Sequence, residues 1–144
     1  MDVAFVSWLD KFLKQQPKFA RQLIFEVPEQ TLVVATEAVK QFAAMLRQRG
    51  AELSLDHFGA RASAFSCLQS LPLSILKIDR CFTEGIENSA ENQFFVKSLI
   101  QVAHSCDAKI LAEGVESEAQ WQALLSLGVD GGQGYFLGRP REEL

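Results

Sequence analysis

The residues Ile75-Leu76-Lys77-Ile78-Asp79 form a short apolar run with charged groups at its carboxyl end. A run of this kind predicts a strand buried in a parallel sheet, where both faces are covered. Similar runs occupy residues 23–27, 53–56 and 110–113, and each carries a carboxylate near its carboxyl end. Because helical patterns separate the four runs, the sequence predicts βαβ units and an α/β fold with a mostly parallel sheet.

The segments between these runs have helical periodicity and recognisable ends. Asp2 is placed to cap the first helix, Pro17 ends it, and Gly50 is placed to stop the second helix. The stretch Ser117-Glu118-Ala119-Gln120 has the pattern of a capping box. The predicted helices span residues 3–16, 31–49, 62–70, 90–106 and 118–127, and a fifth short strand is predicted within residues 131–136.

The composition is typical of a soluble globular domain, with 144 residues and a formal net charge of -4. An acidic balance without a basic cluster argues against binding to nucleic-acid phosphates. The chain has no apolar run of the roughly 18 residues that span a bilayer, and its start lacks a signal-peptide pattern. The cysteines Cys67, Cys81 and Cys106 lack the spacing of a zinc site. They predict reduced thiols and a cytoplasmic protein.

Charged residues follow or end the predicted strands. Since the carboxyl ends of parallel strands meet at one edge of a sheet, we expect these residues to share a site. Converging carboxylates repel each other unless a cation neutralises them, and Mg²⁺ or Mn²⁺ is the usual cation. A lysine among them could stabilise developing negative charge. The alternative is that these residues only mark strand ends, and the role of His57 stays open. The candidates are Glu26, Asp56, Lys77, Asp79, Glu113 and Glu116.

Five motifs appear in a fixed order along the chain, and together they resemble a known family. They are Leu23-Ile24-Phe25-Glu26-Val27-Pro28-Glu29, Leu55-Asp56-His57-Phe58-Gly59, Leu76-Lys77-Ile78-Asp79-Arg80, Ala112-Glu113-Gly114-Val115-Glu116 and Gln133-Gly134-Tyr135. In this order they resemble the later part of the EAL domain, the cyclic-di-GMP phosphodiesterase domain of bacterial signalling. The resemblance runs from about Phe5 to Pro140. It implies a partial TIM-like (β/α) barrel with about five mostly parallel strands, and residues 1–144 as its C-terminal part.

The resemblance also implies roles for individual residues. The family hydrolyses one phosphodiester bond of cyclic-di-GMP with two Mg²⁺ or Mn²⁺ ions. Glu26, Asp56 and Glu113 match metal-site carboxylates, and Lys77 matches the lysine near the attacking water. The other positions implied to line the nucleotide site are Glu29, which would hold the loop after the Asp56 strand, His57, Asp79, Glu116 and Gln133.

Several positions depart from the family pattern. His57 stands where the family has the second of two adjacent metal-binding aspartates, Ala60-Arg61 replaces Thr-Gly, and Pro28 replaces a threonine. Two-metal sites depend on carboxylates, and a neutral imidazole bridges two hard cations poorly. The Glu-Ala-Leu signature and the asparagine of the strand after it, which come first in the family, have no counterpart in residues 1–144. We therefore expect a degenerate domain whose residual metal positions are unfilled and which does not hydrolyse cyclic-di-GMP.

Three functions fit these expectations. The first is a catalytically inactive regulatory module, of the type that controls biofilms, which binds cyclic-di-GMP or docks a protein partner and needs no cofactor. The alternative is a metal-dependent phosphodiesterase that becomes active with Mg²⁺ or Mn²⁺ when the missing N-terminal part is present. The third is a structural interaction domain. A homodimer is expected, because five strands of a barrel leave two open sheet edges. A cytoplasmic location is expected, alone or as the cytoplasmic end of a larger membrane-anchored protein.

Overall fold

A computed structural model describes residues 2–59, 68 and 70–139 of the chain. The helices are α1 (Val3–Gln15), α2 (Pro17–Ala20), α3 (Glu29–Val34), α4 (Thr36–Arg49), α5 (Arg80–Thr83), α6 (Ala90–Ser105) and α7 (Glu118–Leu127). The strands are β1 (Ile24–Pro28), β2 (Glu52–Phe58), β3 (Ile75–Ile78), β4 (Lys109–Ala112) and β5 (Gly131–Gly132). A 3₁₀ turn, Ile86–Asn88, precedes α6. The helix predicted over residues 62–70 lies mostly outside the described residues.

The strands form one parallel sheet in the order β1-β2-β3-β4-β5. Each strand therefore pairs with the next one along the chain, and helical segments connect β1 to β2, β3 to β4 and β4 to β5. The α/β prediction with five parallel strands is confirmed. Because every strand runs in the same direction, the carboxyl ends of all five lie along one edge.

The predicted helix ends are confirmed where the sequence had clear capping signals. The Asp2 carboxylate accepts hydrogen bonds from the backbone N–H groups of Ala4 at 2.8 Å and Phe5 at 3.3 Å. The Ser117 hydroxyl accepts from Gln120 N, and the Gln120 side chain accepts in return from Ser117 N. These bonds satisfy N–H groups that the first turn of a helix leaves without a partner.

Two predictions for the first βα unit are wrong. The helix predicted from Thr31 begins at Glu29, whose charge suits the first turn of a helix, and it is broken at Ala35 (φ -136°) into α3 and α4. The strand predicted to be buried is an edge strand, since β1 pairs only with β2 within the described chain. Ile24 is consequently 48% exposed.

The hydrophobic core lies between the sheet and the helices. Side chains alternate along each strand, so Phe25 of β1 faces α4 and meets Phe42 edge-on, with 5.9 Å between ring centroids. On β2 and β3, Leu55 and Leu76 are fully buried. The intervening side chains of each strand point to the opposite face, where the polar residues gather. No helix among the described residues has the length and apolar character that a membrane span requires.

Candidate functional site

The carboxyl ends of β1 to β4 bring the predicted strand-end residues into one cluster. Its members are joined by a network of short contacts between acidic and basic side chains. The rim cluster, as we call it, consists of Glu26, Asp56, His57, Lys77, Asp79 and Glu113. The structure thus brings charges from four separate strands within contact distance, whereas Glu116, the sixth candidate, lines the cavity beside Glu113.

Lys77 is the centre of the rim cluster. Its Nζ lies 2.6 Å from Glu26 Oε1, 3.8 Å from Asp56 Oδ1 and 3.7 Å from Glu113 Oε1. The residue is 8% exposed. Burial disfavours the charged form of Lys77, but the hydrogen bond to Glu26 and the charges of the three carboxylates outweigh it and raise the pKa of the ammonium. Lys77 is thus a permanent cation among three carboxylates.

A β-bulge places two consecutive residues of β2 in the same cluster. The register slips between Leu55 and Phe58, where β2 contributes one residue more than β3. His57, in the slipped segment, has a φ of 55°. In a regular strand Asp56 and His57 would point to opposite faces. Here His57 Nε2 lies 3.6 Å from Asp56 Oδ2.

The His57 ring also reaches the acidic residues that follow β3 and β4. Its Nδ1 lies 3.1 Å from Asp79 Oδ2 and 3.3 Å from Glu113 Oε2. The imidazole therefore stands among three carboxylates, Asp56, Asp79 and Glu113. At this point the family pattern has a fourth carboxylate.

Glu113 is the least solvated carboxylate of the rim cluster, with a side chain 17% exposed. Burial and the nearby charge of Asp56 raise the pKa of Glu113, although Lys77 and His57 oppose the shift. Its Oε2 is buried without a well-aligned hydrogen bond from the described residues. A buried carboxylate oxygen of this kind is costly unless a cation approaches it.

Asp79 connects the rim cluster to the following helix. Its Oδ1 accepts a hydrogen bond from Cys81 N at 2.9 Å, which caps α5. Burial opposes its charge, but the hydrogen bonds from Cys81 and His57 outweigh burial and lower the pKa of Asp79. Burial and the Asp79 charge in turn raise the pKa of the Cys81 thiol to about 11, so that this thiol is not a nucleophile at neutral pH.

A cavity of about 220 Å³ opens beside Glu113. Glu116 and Gln133, which the resemblance assigned to the site, line it together with Arg80 and Tyr135. Arg80 Nη2 lies 3.6 Å from Glu116 Oε1, and the guanidinium of Arg139 stands 5.8 Å from the centre of the Tyr135 ring. The cavity thus combines the Arg80 guanidinium with the exposed Tyr135 ring, a pairing suited to phosphates and bases, and Arg139 lines an adjoining cavity that Tyr135 also lines.

The described residues offer one group of donors that could hold a metal ion. Single ligand atoms of Asp56, His57 and Glu113 all lie within 4.8 Å of one another. Two carboxylates and an imidazole fit one divalent cation, such as Mn²⁺. Glu26, the third carboxylate assigned to the metals, is paired with Lys77 instead.

Two further buried residues lie outside the rim cluster, and the sequence predicted only one of them. Glu29 is 2% exposed at the start of α3, and the loop that it was expected to hold, with Ala60 and Arg61, lies outside the described residues. Thr83, which the sequence analysis missed, is fully buried, and its hydroxyl donates to the Glu113 carbonyl oxygen. An isolated threonine in a short helix carries no sequence signal for such a positioning contact.

Comparison of the sequence with known proteins finds the family that the motifs resemble. The family model of the EAL domain matches residues 1–140. The chain is 37% identical over 118 residues to the bifunctional diguanylate cyclase/cyclic di-GMP phosphodiesterase MucR of Pseudomonas aeruginosa, a match that covers 82% of this chain and 17% of MucR. It is 32% identical over 122 residues to the cyclic di-GMP phosphodiesterase PdeF of Escherichia coli, covering 85% of this chain and 16% of PdeF. The chain thus spans about a sixth of the length of these relatives.

Solved structures show the same architecture. The MucR phosphodiesterase in complex with c-di-GMP superposes with a TM-score of 0.78 at 36% identity, over 84% of this chain and 49% of that one. The manganese/c-di-GMP complex of Klebsiella pneumoniae BlrP1 at pH 9.0 superposes with a TM-score of 0.85 at 28% identity, over 96% of this chain and 36% of that one. The partial TIM-like architecture expected from the sequence is confirmed.

Proposed function

The chain belongs to the EAL domain family, and from this premise we propose that it is a regulatory module that binds cyclic-di-GMP without hydrolysing it. The observation that carries the proposal is the position of His57 among Asp56, Asp79 and Glu113. An imidazole at this point replaces the carboxylate on which a two-metal site of this family depends. The residue at position 57 therefore decides whether the domain hydrolyses the nucleotide that it binds.

The charges of the rim cluster support the absence of turnover. Lys77 pairs at 2.6 Å with Glu26, which removes a carboxylate from the set of available metal ligands. Lys77 partly neutralises Asp56 and Glu113, a task that divalent cations would otherwise perform, and the His57 ring contacts Asp79. When bound, such cations neutralise the phosphate and activate water. The donors among the described residues fit one ion, and a single ion does not clamp both the attacking and the leaving oxygen.

The cavity beside Glu113 supports nucleotide binding. Arg80 in this cavity and Arg139 in the adjoining one offer guanidinium groups to phosphate oxygens, and Tyr135, 63% exposed, offers a ring on which a base can stack. The relatives MucR and BlrP1 have been solved in complex with c-di-GMP. Neither the guanidinium groups nor the ring depends on a metal, so this part of the site can act as a receptor alone.

A metal-dependent phosphodiesterase is the second candidate function. The observation that favours it is the trio Asp56, His57 and Glu113, whose ligand atoms are close enough to share an ion. The relatives MucR and PdeF are named phosphodiesterases. Activity would require a second cation held by groups other than this trio.

Calorimetric titration of cyclic-di-GMP into this chain and into a longer form that carries the Glu-Ala-Leu signature, each with and without Mn²⁺, separates the candidates. We expect saturable binding in both conditions, and chromatography of the mixture should show no linear dinucleotide. Product formation with Mn²⁺ would establish the phosphodiesterase instead. Absence of any binding heat would overturn both and favour a structural interaction domain.

Two substitutions of His57 test whether this residue limits metal binding. His57→Asp restores the carboxylate, and His57→Asn is its neutral control, since aspartate and asparagine both tolerate the positive φ of this position. We expect His57→Asp to bind Mn²⁺ about tenfold more tightly than His57→Asn, the size of effect common for a metal-site partner. Equal affinities would show that the charge at residue 57 does not limit the metal site.

A further inference from the structure

The backbone of Glu113 is held from two sides, by β3 and by α5. Its N–H donates to the carbonyl oxygen of Ile78, the last residue of β3, at 3.2 Å. Its carbonyl oxygen accepts a hydrogen bond from the hydroxyl of Thr83, the last residue of α5. Because Glu113 directly follows the last residue of β4, these two bonds hold its backbone in place after the strand has ended.

Thr83 makes this contact from the interior of the protein, where it is fully buried. Its hydroxyl has one proton to donate, and two carbonyl oxygens lie within reach. The oxygen of Arg80 is 3.1 Å away, and the oxygen of Glu113 is nearer. An apolar side chain of the same shape would fill the same space but would leave the Glu113 carbonyl oxygen without this bond. The hydroxyl group is therefore the part of Thr83 that acts on Glu113.

The residue after Glu113 shows how closely α5 packs against the turn that follows β4. Gly114 has a φ of 68°, and a Cβ at this position would lie 2.8 Å from Arg80 Cβ and 3.7 Å from Thr83 Oγ1. No side chain fits between the turn and α5. In so close a contact, α5 cannot shift without moving the backbone of Glu113.

The start of α5 leads back to the rim cluster. Asp79 caps this helix by accepting a hydrogen bond from Cys81 N at 2.9 Å, and its other carboxylate oxygen lies 3.1 Å from His57 Nδ1. The same nitrogen of His57 lies 3.3 Å from Glu113 Oε2. Helix α5 thus joins the two carboxylates, Asp79 and Glu113, that one imidazole nitrogen contacts.

We propose that Thr83 is a positioning residue for the trio Asp56, His57 and Glu113, and that its hydroxyl sets the direction of the Glu113 carboxylate through the backbone. One ion can be shared only while the ligand atoms stay close together, and those of the trio lie within 4.8 Å of one another. Groups that orient a metal ligand without touching the ion commonly change metal affinity by about tenfold or more. This role rests on the donor geometry of the trio and not on the nucleotide.

Calorimetric titration of Mn²⁺ alone into the full chain tests the role of Thr83. Thr83→Val removes the hydroxyl and keeps the branched shape, and we expect the Mn²⁺ dissociation constant to rise about tenfold. Thr83→Ser keeps the hydroxyl and should bind Mn²⁺ nearly as tightly as the unmodified chain. Ser54→Ala is the matched control, because Ser54 of β2 is also fully buried but its hydroxyl has no hydrogen-bond partner among the described residues. It should leave the affinity unchanged.

A second pair of variants makes the same comparison if Thr83→Val does not fold, as circular dichroism would show. Thr83→Ala and Thr83→Ser differ only in the hydroxyl, and the alanine variant should bind Mn²⁺ more weakly. Equal Mn²⁺ affinities within a pair would show that Thr83 only supports the fold, and would overturn the proposal. An unmodified chain that binds no Mn²⁺, or an equal loss of affinity in Ser54→Ala, would overturn it as well. Since the probe is Mn²⁺ alone, a failure of nucleotide binding appears in a separate titration.

Discussion

His57 decides much of the chemistry of the site, and its side-chain direction depends on the backbone around it. The adjacent pair Asp56-His57 would lie on opposite faces of a regular strand. The bulge in β2 and the positive φ of His57 bring both to the rim cluster. The sequence places a histidine beside a strand end, but it does not show that three carboxylates surround the ring.

Glu113→Gln is expected to increase the free energy of unfolding at pH 7 by about 0.5–2 kcal/mol, the usual size of a stabilising change. Burial and the Asp56 charge raise the pKa of Glu113 in the folded state. A raised pKa means that this carboxyl stabilises the fold below its unfolded pKa and loses that contribution as the pH rises. The gain should therefore disappear as the pH falls towards the ordinary value of 4.5.

Denaturant titrations across this pH range measure the effect, with Glu116→Gln as the control. Glu116 belongs to the same motif, but its side chain is 53% exposed and bonds to no buried group through its carboxylate in the described chain. Its substitution should change stability little at any pH. If Glu113→Gln lowers stability at pH 7, the attraction of Lys77 for Glu113 outweighs the cost of burial.

At the scale of elements, the turn after β5 closes the cavity beside Glu113. Gly134 packs against the backbone of Val115, and the backbone N–H of Phe136 donates to the Val115 carbonyl oxygen. Gln133 O accepts from Val115 N. The turn after β4 and the turn after β5 are thereby locked together, which fixes Glu116 relative to Tyr135.

Gly134→Ala is expected to lower the free energy of unfolding by about 1–3 kcal/mol, the range for overpacking a tight contact. A Cβ at this position would collide with backbone atoms of Val115, which have no flexible side chain to move aside. Calorimetry should also show weaker cyclic-di-GMP binding, because the cavity would be reshaped. Gly138→Ala is the control, since its Cβ would meet nothing within 4 Å. Equal stabilities of the two variants would contradict this account.

At the scale of the molecule, the carboxyl edge of the sheet and helix α1 belong to separate surfaces. The carboxyl edge of the sheet holds the rim cluster, whereas α1 contributes no residue to it. Association of two copies away from this edge would leave the cavity beside Glu113 accessible.

The thermal midpoint of the chain is expected to rise with protein concentration if two copies associate, as the open sheet edges lead us to expect. A partner that binds only the folded state stabilises that state by mass action. For a chain of this size, a hundredfold increase in concentration should raise the midpoint by about 4 °C. Scanning calorimetry at two concentrations measures this change. A midpoint independent of concentration would argue against association of two copies.

Much of the fold was predictable because its signals are local. Short apolar runs with terminal charges indicated the parallel strands, and Asp2, Ser117 and Gly128 marked helix ends through backbone preferences. The break at Ala35 was not predictable, because Ala35 itself begins the apolar face that, with Val39, Phe42 and Leu46, had indicated one helix from Thr31. Strand ends indicated five members of the rim cluster, but they left His57 open and included Glu116, which lines the cavity instead. The pairings within the cluster were not predictable.

The sequence alone determines that the strands are parallel, which family the chain belongs to and which acidic residues lie at the carboxyl edge of the sheet. Each of these depends on local periodicity or on a motif. Three features needed the folded chain. These are the pairing of Lys77 with Glu26, the turn of His57 towards Asp79 and Glu113, and the exposure of Trp8. Each depends on how residues far apart in sequence lie relative to one another, either through a distance between them or through the surface that they leave accessible. Packing sets such quantities, and no local pattern encodes them.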